Sequence, residues 1–161
     1  MDIEIRLADY RDPGDAAALV ALLDGYARDP LGGGTPLPTE VRATLPERLA
    51  AFPTALSLLA FADGEPAGLA NAILGFSTFA ARPLLNLHDL VVAVDYRGHG
   101  IGRRLLERLE SVARERACCK LTLEVLAGNE AAQALYRRVG YTPYALDPDH
   151  GAAHFWHKPL S

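Results

Sequence analysis

The stretch VVAVDYRGHGIGRRLLERL, residues 91–109, constrains the fold more than any other part of the chain. An apolar, strand-like run passes through Gly98, Gly100 and Gly102 straight into a segment where Ile101, Leu105, Leu109 and Val112 recur at helical spacing, with arginines and glutamates opposite. A strand that enters an amphipathic helix in this way belongs to a sheet with the helix laid on one face. The loop also has a chemical consequence. The first N–H groups of a helix have no intrahelical partner, and together with the helix dipole they attract an anion. Glycines let a phosphate approach the main chain, and Arg97, Arg103 and Arg104 bring positive charge nearby. The ligand indicated is a phosphorylated cofactor. Arg103 stands where a dinucleotide fingerprint needs glycine, and no Gly-Lys-Ser or Gly-Lys-Thr follows, so the loop suits neither NAD nor ATP.

The other elements follow from periodicity and turn residues. Ile3, Ile5 and Leu7 alternate with Asp2, Glu4 and Arg6, which predicts a half-buried strand. Asp12 and Pro13 open a helix in which Leu19, Leu22, Leu23 and Tyr26 share a face. Residues 30–38, with Gly32, Gly33 and Gly34 between prolines, predict a flexible loop facing substrate, and Pro46 divides the segment after it into two short helices. Residues 55–62 and 68–76 are antiparallel strands around Asp63-Gly64, with Pro66 lengthening the turn. Residues 84–94 form a third apolar strand, broken by His88 and Asp89. Residues 120–126 predict a short strand, 129–140 a helix ended by Gly140, and 152–160 a final strand. The order predicts an α/β fold with a central mixed, mostly antiparallel sheet flanked by helices, in one domain over residues 1–161.

Composition removes several function classes. A net charge of -4 and a pI near 5.7 exclude a generic grip on nucleic acid or an anionic membrane. Cys118 and Cys119 are adjacent, so they form neither a CxxC site nor an ordinary intrachain disulfide, and a reducing cytoplasm fits them. No apolar run reaches the roughly 18 residues of a spanning helix, and the opening MDIEIRLADYRD is too charged for a signal peptide. His150, His154 and His157 lack the Cys or carboxylate partners of a metal site, so no metal is expected.

Two motifs carry a resemblance. RGHGIG, residues 97–102, resembles the R/Q-x-x-G-x-G/A pyrophosphate loop of the GNAT N-acetyltransferase superfamily, and NEAAQALYRRVGYTPY, residues 129–144, resembles its second signature, N-x-x-A-x-x-x-Y followed by Gly-aromatic. LHDLVVAVDYRGHGIG looks closest to the diamine and polyamine acetyltransferase branch, although His88 stands where that branch usually carries Glu. The resemblance implies acetyl transfer from acetyl-CoA directly to the primary amine of a small molecule such as a polyamine, a diamine or an amino-acid-like compound. It implies that Leu90, Val91 and Val92 pair with the pantetheine arm, that Arg97, Gly98, His99, Gly100, Ile101, Gly102 and Arg103 form the pyrophosphate loop, and that Asn129 and Ala132 complete the coenzyme contacts. Tyr136 matches the general acid that protonates the leaving thiolate, and a homodimer is the usual assembly of the superfamily.

An alkylamine with a pKa near 10 must lose a proton before it attacks a thioester. His88 and Asp89 lie on the strand leading to the acetyl site, and strict alternation would let only one of them face a given pocket. His88 is the candidate base, with Asp89 or a water chain as alternatives, while Tyr26, Asp29 and Asp89 are candidates to line the amine pocket. A non-catalytic acyl-CoA-binding module would need the glycine loop but no competent Tyr136, and a peptide acetyltransferase would need an open groove near residues 32–38.

Overall fold

The structure is a computed structural model describing residues 1–160. It divides into two compact units, Met1–Leu123 and Glu124 onward. The first holds strands β1 (Ile3–Leu7), β2 (Ala55–Ala62), β3 (Glu65–Ser77), β4 (Arg82–Val92) and β5 (Leu121–Leu123), and helices α1 (Pro13–Arg28), α2 (Thr39–Ala50) and α3 (Ile101–Glu115). The second holds α4 (Glu130–Arg138). The strands lie in the order β1-β2-β3-β4-β5, antiparallel up to β4 and parallel between β4 and β5. The α/β class and the mixed, mostly antiparallel sheet are those the pattern predicts.

Alternation along the strands makes two apolar faces. On one, Leu59, Leu69 and Val91 pack with Ala18, Leu19 and Leu22 of α1. On the other lie Leu105, Leu109 and Val112 of α3, all 1% exposed or less. A Cβ at Gly68 would come within 3.0 Å of Ile101 Cγ2 and Leu105 Cδ1, so the bare backbone of β3 is what lets the first turn of α3 sit down on the sheet.

Several details differ from the sequence expectations. Pro46 lies inside the single helix α2 and does not divide it. The lost hydrogen bond and ring clash of an interior proline cost about 3 kcal/mol, and the packing of Leu45 and Leu49, on either side of it, against the core offsets that cost. Pro66 does not lengthen the hairpin turn: Ala62 pairs directly with Glu65 around Asp63 and Gly64, whose φ angles are 50° and 87°. The irregularity moves instead to a bulge opposite Ala60 and Phe61, where β3 holds an extra residue. β5 is only three residues long. Residues 152–160 form no strand and are exposed; Ala153 N–H donates to Tyr144 C=O at 2.9 Å, but no ladder develops. Phe155 and Trp156 are adjacent, so they give no one-sided strand face, and Pro159 removes a donor.

One ion pair ties β1 to α1. Asp15, 3% exposed, accepts from both Arg6 guanidinium nitrogens at 2.7 Å and from Asp9 N–H at 2.9 Å. The Arg6 bonds are the main reason its carboxyl is held below the usual carboxylate range, against the opposing effect of burial. A depressed carboxyl pKa contributes stability above the unfolded value near 4, and that contribution is lost as pH falls through the lower folded value. Asp15→Ala is therefore expected to cost about 1 to 3 kcal/mol near neutral pH, discounted because Arg6 stays partly in water. Urea melts should show the gap between variant and wild type closing as the buffer is taken below pH 4.

Candidate active site

The glycine loop occupies the place the sequence predicts, between the end of β4 and α3. A short 3-10 turn at Val94–Tyr96 leads into Gly98 (φ 81°) and Gly100 (φ 79°), both in the left-handed region that glycine enters at low cost. No protein atom lies within 4 Å of where a Cβ would stand at either residue, so the space beside these backbones is open. Gly100 is the N-cap of α3 and supplies no side-chain hydrogen bond, which leaves the first-turn amides available to an anion. Ile101 can offer only its backbone, because its side chain is 1% exposed within the core. The His99 ring folds back, with Nδ1 3.0 Å from Arg97 O, so His99 too contributes mainly main chain.

The arginines are less free than their spacing suggests. Arg97 Nε donates to Val92 O at 3.2 Å and its Nη2 to Asp29 Oδ2 at 3.3 Å, tying the loop to the end of α1. Arg103 pairs with Glu107 at 2.7 Å along the helix, and Arg104 donates to Ile3 O on β1. Arg97 is thus the side chain that the fold delivers to the loop.

β4 is built for an extended ligand. β5 pairs with it only at Leu85, Asn86 and Leu87, while β3 stays paired through Val92. From His88 to Val92 the strand therefore runs on without β5, and unpaired strand edges accept another extended chain by main-chain hydrogen bonds. The break coincides with a bulge. Asn71 pairs with Asp89 and Ala72 with Leu87, which leaves His88 as the extra residue, exposed to solvent. The strict alternation expected of His88 and Asp89 fails here, since a bulge interrupts the pleat. Asp89 joins the α1 face with Asn71, and its charge, after desolvation, helps push the Tyr26 phenol above its ordinary value.

Tyr26, Val91, Val92 and Arg97 share a cavity of about 330 Å³ with Leu22 and Gly25. Asp29 borders the loop, but its Oδ1 accepts from Leu31 N–H and its Oδ2 from Arg97, and these bonds hold its carboxyl below the usual range. Both oxygens being committed, Asp29 is a poorer amine ligand than its position in the sequence suggests. A larger open groove of about 980 Å³ between α1 and α2 is lined by Ala17, Ala21, Ala43 and Pro46 and contains none of the expected site residues.

In the second unit, Asn129 caps α4 by accepting from Ala132 N–H at 3.1 Å. Tyr136, seven residues on, lies on the same helix face, half-buried, with its ring centroid 5.8 Å from that of Tyr141. Three residues that sequence reasoning passed over, Tyr10, Ser57 and Asn71, form a hydrogen-bonded chain whose last member, Asn71, donates to Asp89. The signal was present, since Ser57 and Asn71 are isolated polar residues within otherwise apolar strands.

Residues 19–141 match the family model for the acetyltransferase (GNAT) family. The chain belongs to that family. Thialysine N-epsilon-acetyltransferase of Bos taurus is 36% identical over 84 residues, 49% of this chain and 49% of that protein. Streptothricin acetyltransferase of Streptomyces lavendulae is 41% identical over 86 residues, 53% of this chain and 43% of that protein. The chain thus spans about half the length of these curated relatives. The fold is shared with an aminoglycoside acetyltransferase from an uncultured soil metagenomic sample, at a TM-score of 0.77 and 16% identity, covering 98% of this chain and 97% of the other. It is shared also with a ribosomal-protein-alanine N-acetyltransferase of Brucella melitensis biovar Abortus 2308, at a TM-score of 0.69 and 23% identity over 91% and 99% of the two chains.

Proposed function

We propose that this protein is an acetyl-CoA-dependent N-acetyltransferase that acts on a primary amine of a small molecule in the cytoplasm. The observation that carries the reading is the uncapped N-terminus of α3, with open left-handed glycines at 98 and 100, at the end of a strand that stays paired to β3 but has no β5 residue beside it from His88 to Val92. Those two features suit a diphosphate and an extended arm respectively, so the chain's residues fit coenzyme A. The coenzyme supplies an activated acetyl thioester.

The chain's own residues do the rest. The amides of Gly98 to Arg103 hold the diphosphate, with Arg97 exchanging Asp29 for it. Main-chain groups of Leu90, Val91 and Val92 orient the arm, and one N–H there polarises the acetyl carbonyl. Tyr136, with Asn129 on the same face of α4, returns a proton to the departing sulfur. That role is supported by the motif N-x-x-A-x-x-x-Y and by the helical geometry of the second unit. Tyr26 and Asp89 receive the amine. Transfer is direct, and no side chain is acylated.

The thialysine and streptothricin enzymes are named for small amine-bearing molecules, which supports that acceptor class. A relative named for ribosomal-protein alanine, 44% identical over 55 residues in Escherichia coli, keeps a peptide acceptor as the second reading. Release of CoA thiol should be measured across polyamines, lysine analogues, aminoglycosides and short peptides. Turnover is expected with at least one small amine and with no peptide. Turnover on peptides alone would move the acceptor class, and silence despite acetyl-CoA binding would reduce the protein to a binding module.

A further inference from the structure

Among Leu59, Leu69 and Val91, which pack against α1, one cross-strand row is polar. Ser57, Asn71 and Asp89 are direct cross-strand partners on β2, β3 and β4, and they are joined side chain to side chain. Ser57 Oγ donates to Asn71 Oδ1 at 2.6 Å, and Asn71 Nδ2 donates to Asp89 Oδ2 at 3.0 Å. Tyr10, in the loop after β1, lies with its hydroxyl 2.9 Å from Ser57 Oγ. A serine hydroxyl has one proton, and Ser57 gives it to Asn71, so Tyr10 is the donor to Ser57. Donation therefore runs in one direction, towards the carboxylate, and the Asn71 amide is locked with its NH₂ facing Asp89.

Stability does not account for this row. Ser57 is 1% exposed and Asn71 8%, among Leu59, Leu69 and Val91, where apolar side chains of similar shape would be nearly neutral or stabilising. The row ends at a group with one oxygen to spare: among the described residues, Asp89 Oδ1 accepts no hydrogen bond while Oδ2 holds Asn71. Asp89 also stands beside the bulge where β5 has stopped pairing, and its charge reaches Tyr26 in the cavity.

We infer that Tyr10, Ser57 and Asn71 are positioning residues that fix Asp89 so that its free oxygen takes the proton of the acceptor amine, leaving exposed His88 outside the reaction. The inference rests on the acetyltransferase reading above and assigns its base. The amine reacts as its neutral form, its ammonium proton having passed to solvent; the nitrogen lone pair forms the new C–N bond, and Asp89 Oδ1 takes the proton that this nitrogen then sheds. The electrons of the broken C–S bond leave on sulfur, which takes its proton from Tyr136. Between turnovers Asp89 loses its proton to solvent and Tyr136 regains one from solvent.

The test is steady-state kinetics on the best amine from the panel. Asp89→Asn should lower kcat by roughly tenfold to a hundredfold, the low end of base effects because water can also take the proton. Asn71→Leu should lower kcat about tenfold with the KM for acetyl-CoA within about twofold, as a misplaced group does. Added to Asp89→Asn, Asn71→Leu should cost nothing more, because it acts only through the carboxylate. Ser57→Ala, a smaller truncation that frees the Asn71 amide to flip, gives the same split between kcat and KM and serves if Asn71→Leu fails to fold. Losses that multiply in the double variant, or an impaired Asp89→Asn beside unimpaired Asn71→Leu and Ser57→Ala, would make the row structural and overturn the inference. Full activity in Asp89→Asn also overturns it while leaving acetyl transfer standing. A wild type that binds acetyl-CoA but acetylates nothing fails at the earlier reading instead.

Discussion

Replacing Gly100 by Asp is expected to weaken acetyl-CoA binding by roughly a hundredfold to a thousandfold while costing the fold about 1 kcal/mol or less. The two effects separate because they arise from different parts of one residue. Gly100 has φ 79° and ψ 7°, and of the side-chain-bearing residues Asp and Asn adopt that region at least cost. A negative charge at a helix N-terminus also interacts favourably with the dipole, by about 0.3 to 1 kcal/mol, which offsets part of the strain. The fold should therefore melt close to the wild type. Binding suffers because the new carboxylate occupies and neutralises the amides that the diphosphate needs. A like charge about 4 Å away at an effective dielectric near 20 opposes it by about 4 kcal/mol. Gly100→Asn keeps the backbone and the bulk without the charge and should lose only about tenfold. Titration calorimetry with acetyl-CoA, alongside thermal melts, reads both quantities. An aspartate variant that binds as the wild type does would detach this loop from the coenzyme.

The second large effect is at Tyr136. Tyr136→Phe should lower kcat by roughly a hundredfold to a thousandfold, within the range of a positioned general acid, with the dissociation constant of acetyl-CoA changed by less than about twofold. The phenyl ring keeps its packing against Tyr141, 5.8 Å between centroids, and leaves the Asn129 cap intact, so α4 should persist. The missing hydroxyl deprives the sulfur of its proton, and a thiolate is a less demanding leaving group than an alkoxide, which keeps the loss finite. Poor leaving groups feel the change most. An acyl donor with a more acidic thiol should therefore recover much of the lost rate. Equal losses for both donors would assign Tyr136 to packing.

The loop proposed to hold the coenzyme was largely legible in the sequence. Gly98 and Gly100 take the left-handed angles that the strand-to-helix turn needs, whereas Gly102 is buried in the first turn of α3, and a helix beginning there has free amides whatever it packs against. The surroundings of the proposed amine pocket were legible only in part. Tyr26 lies where its helical periodicity places it, whereas Asp29, read as a free carboxylate, is engaged with Leu31 and Arg97, a partner 68 residues away. Pro46 illustrates the opposite limit: a local rule predicted a break, and the packing of half-buried Leu45 and Leu49 against the core outweighed it.

The sequence alone determined the elements from β1 to α4 apart from the undivided α2, together with the glycine loop and the two family motifs, because each depends on residues close together in the chain; the strand it predicted over residues 152–160 is absent. Tertiary structure alone decided that β5 stops pairing at Leu87, that His88 is squeezed out as the bulge residue, and that Ser57 and Asn71 stand in line with Asp89. Register between strands is a balance over the whole sheet, so polar residues whose successive separations along the chain are 14 and 18 positions become neighbours only when the sheet assembles.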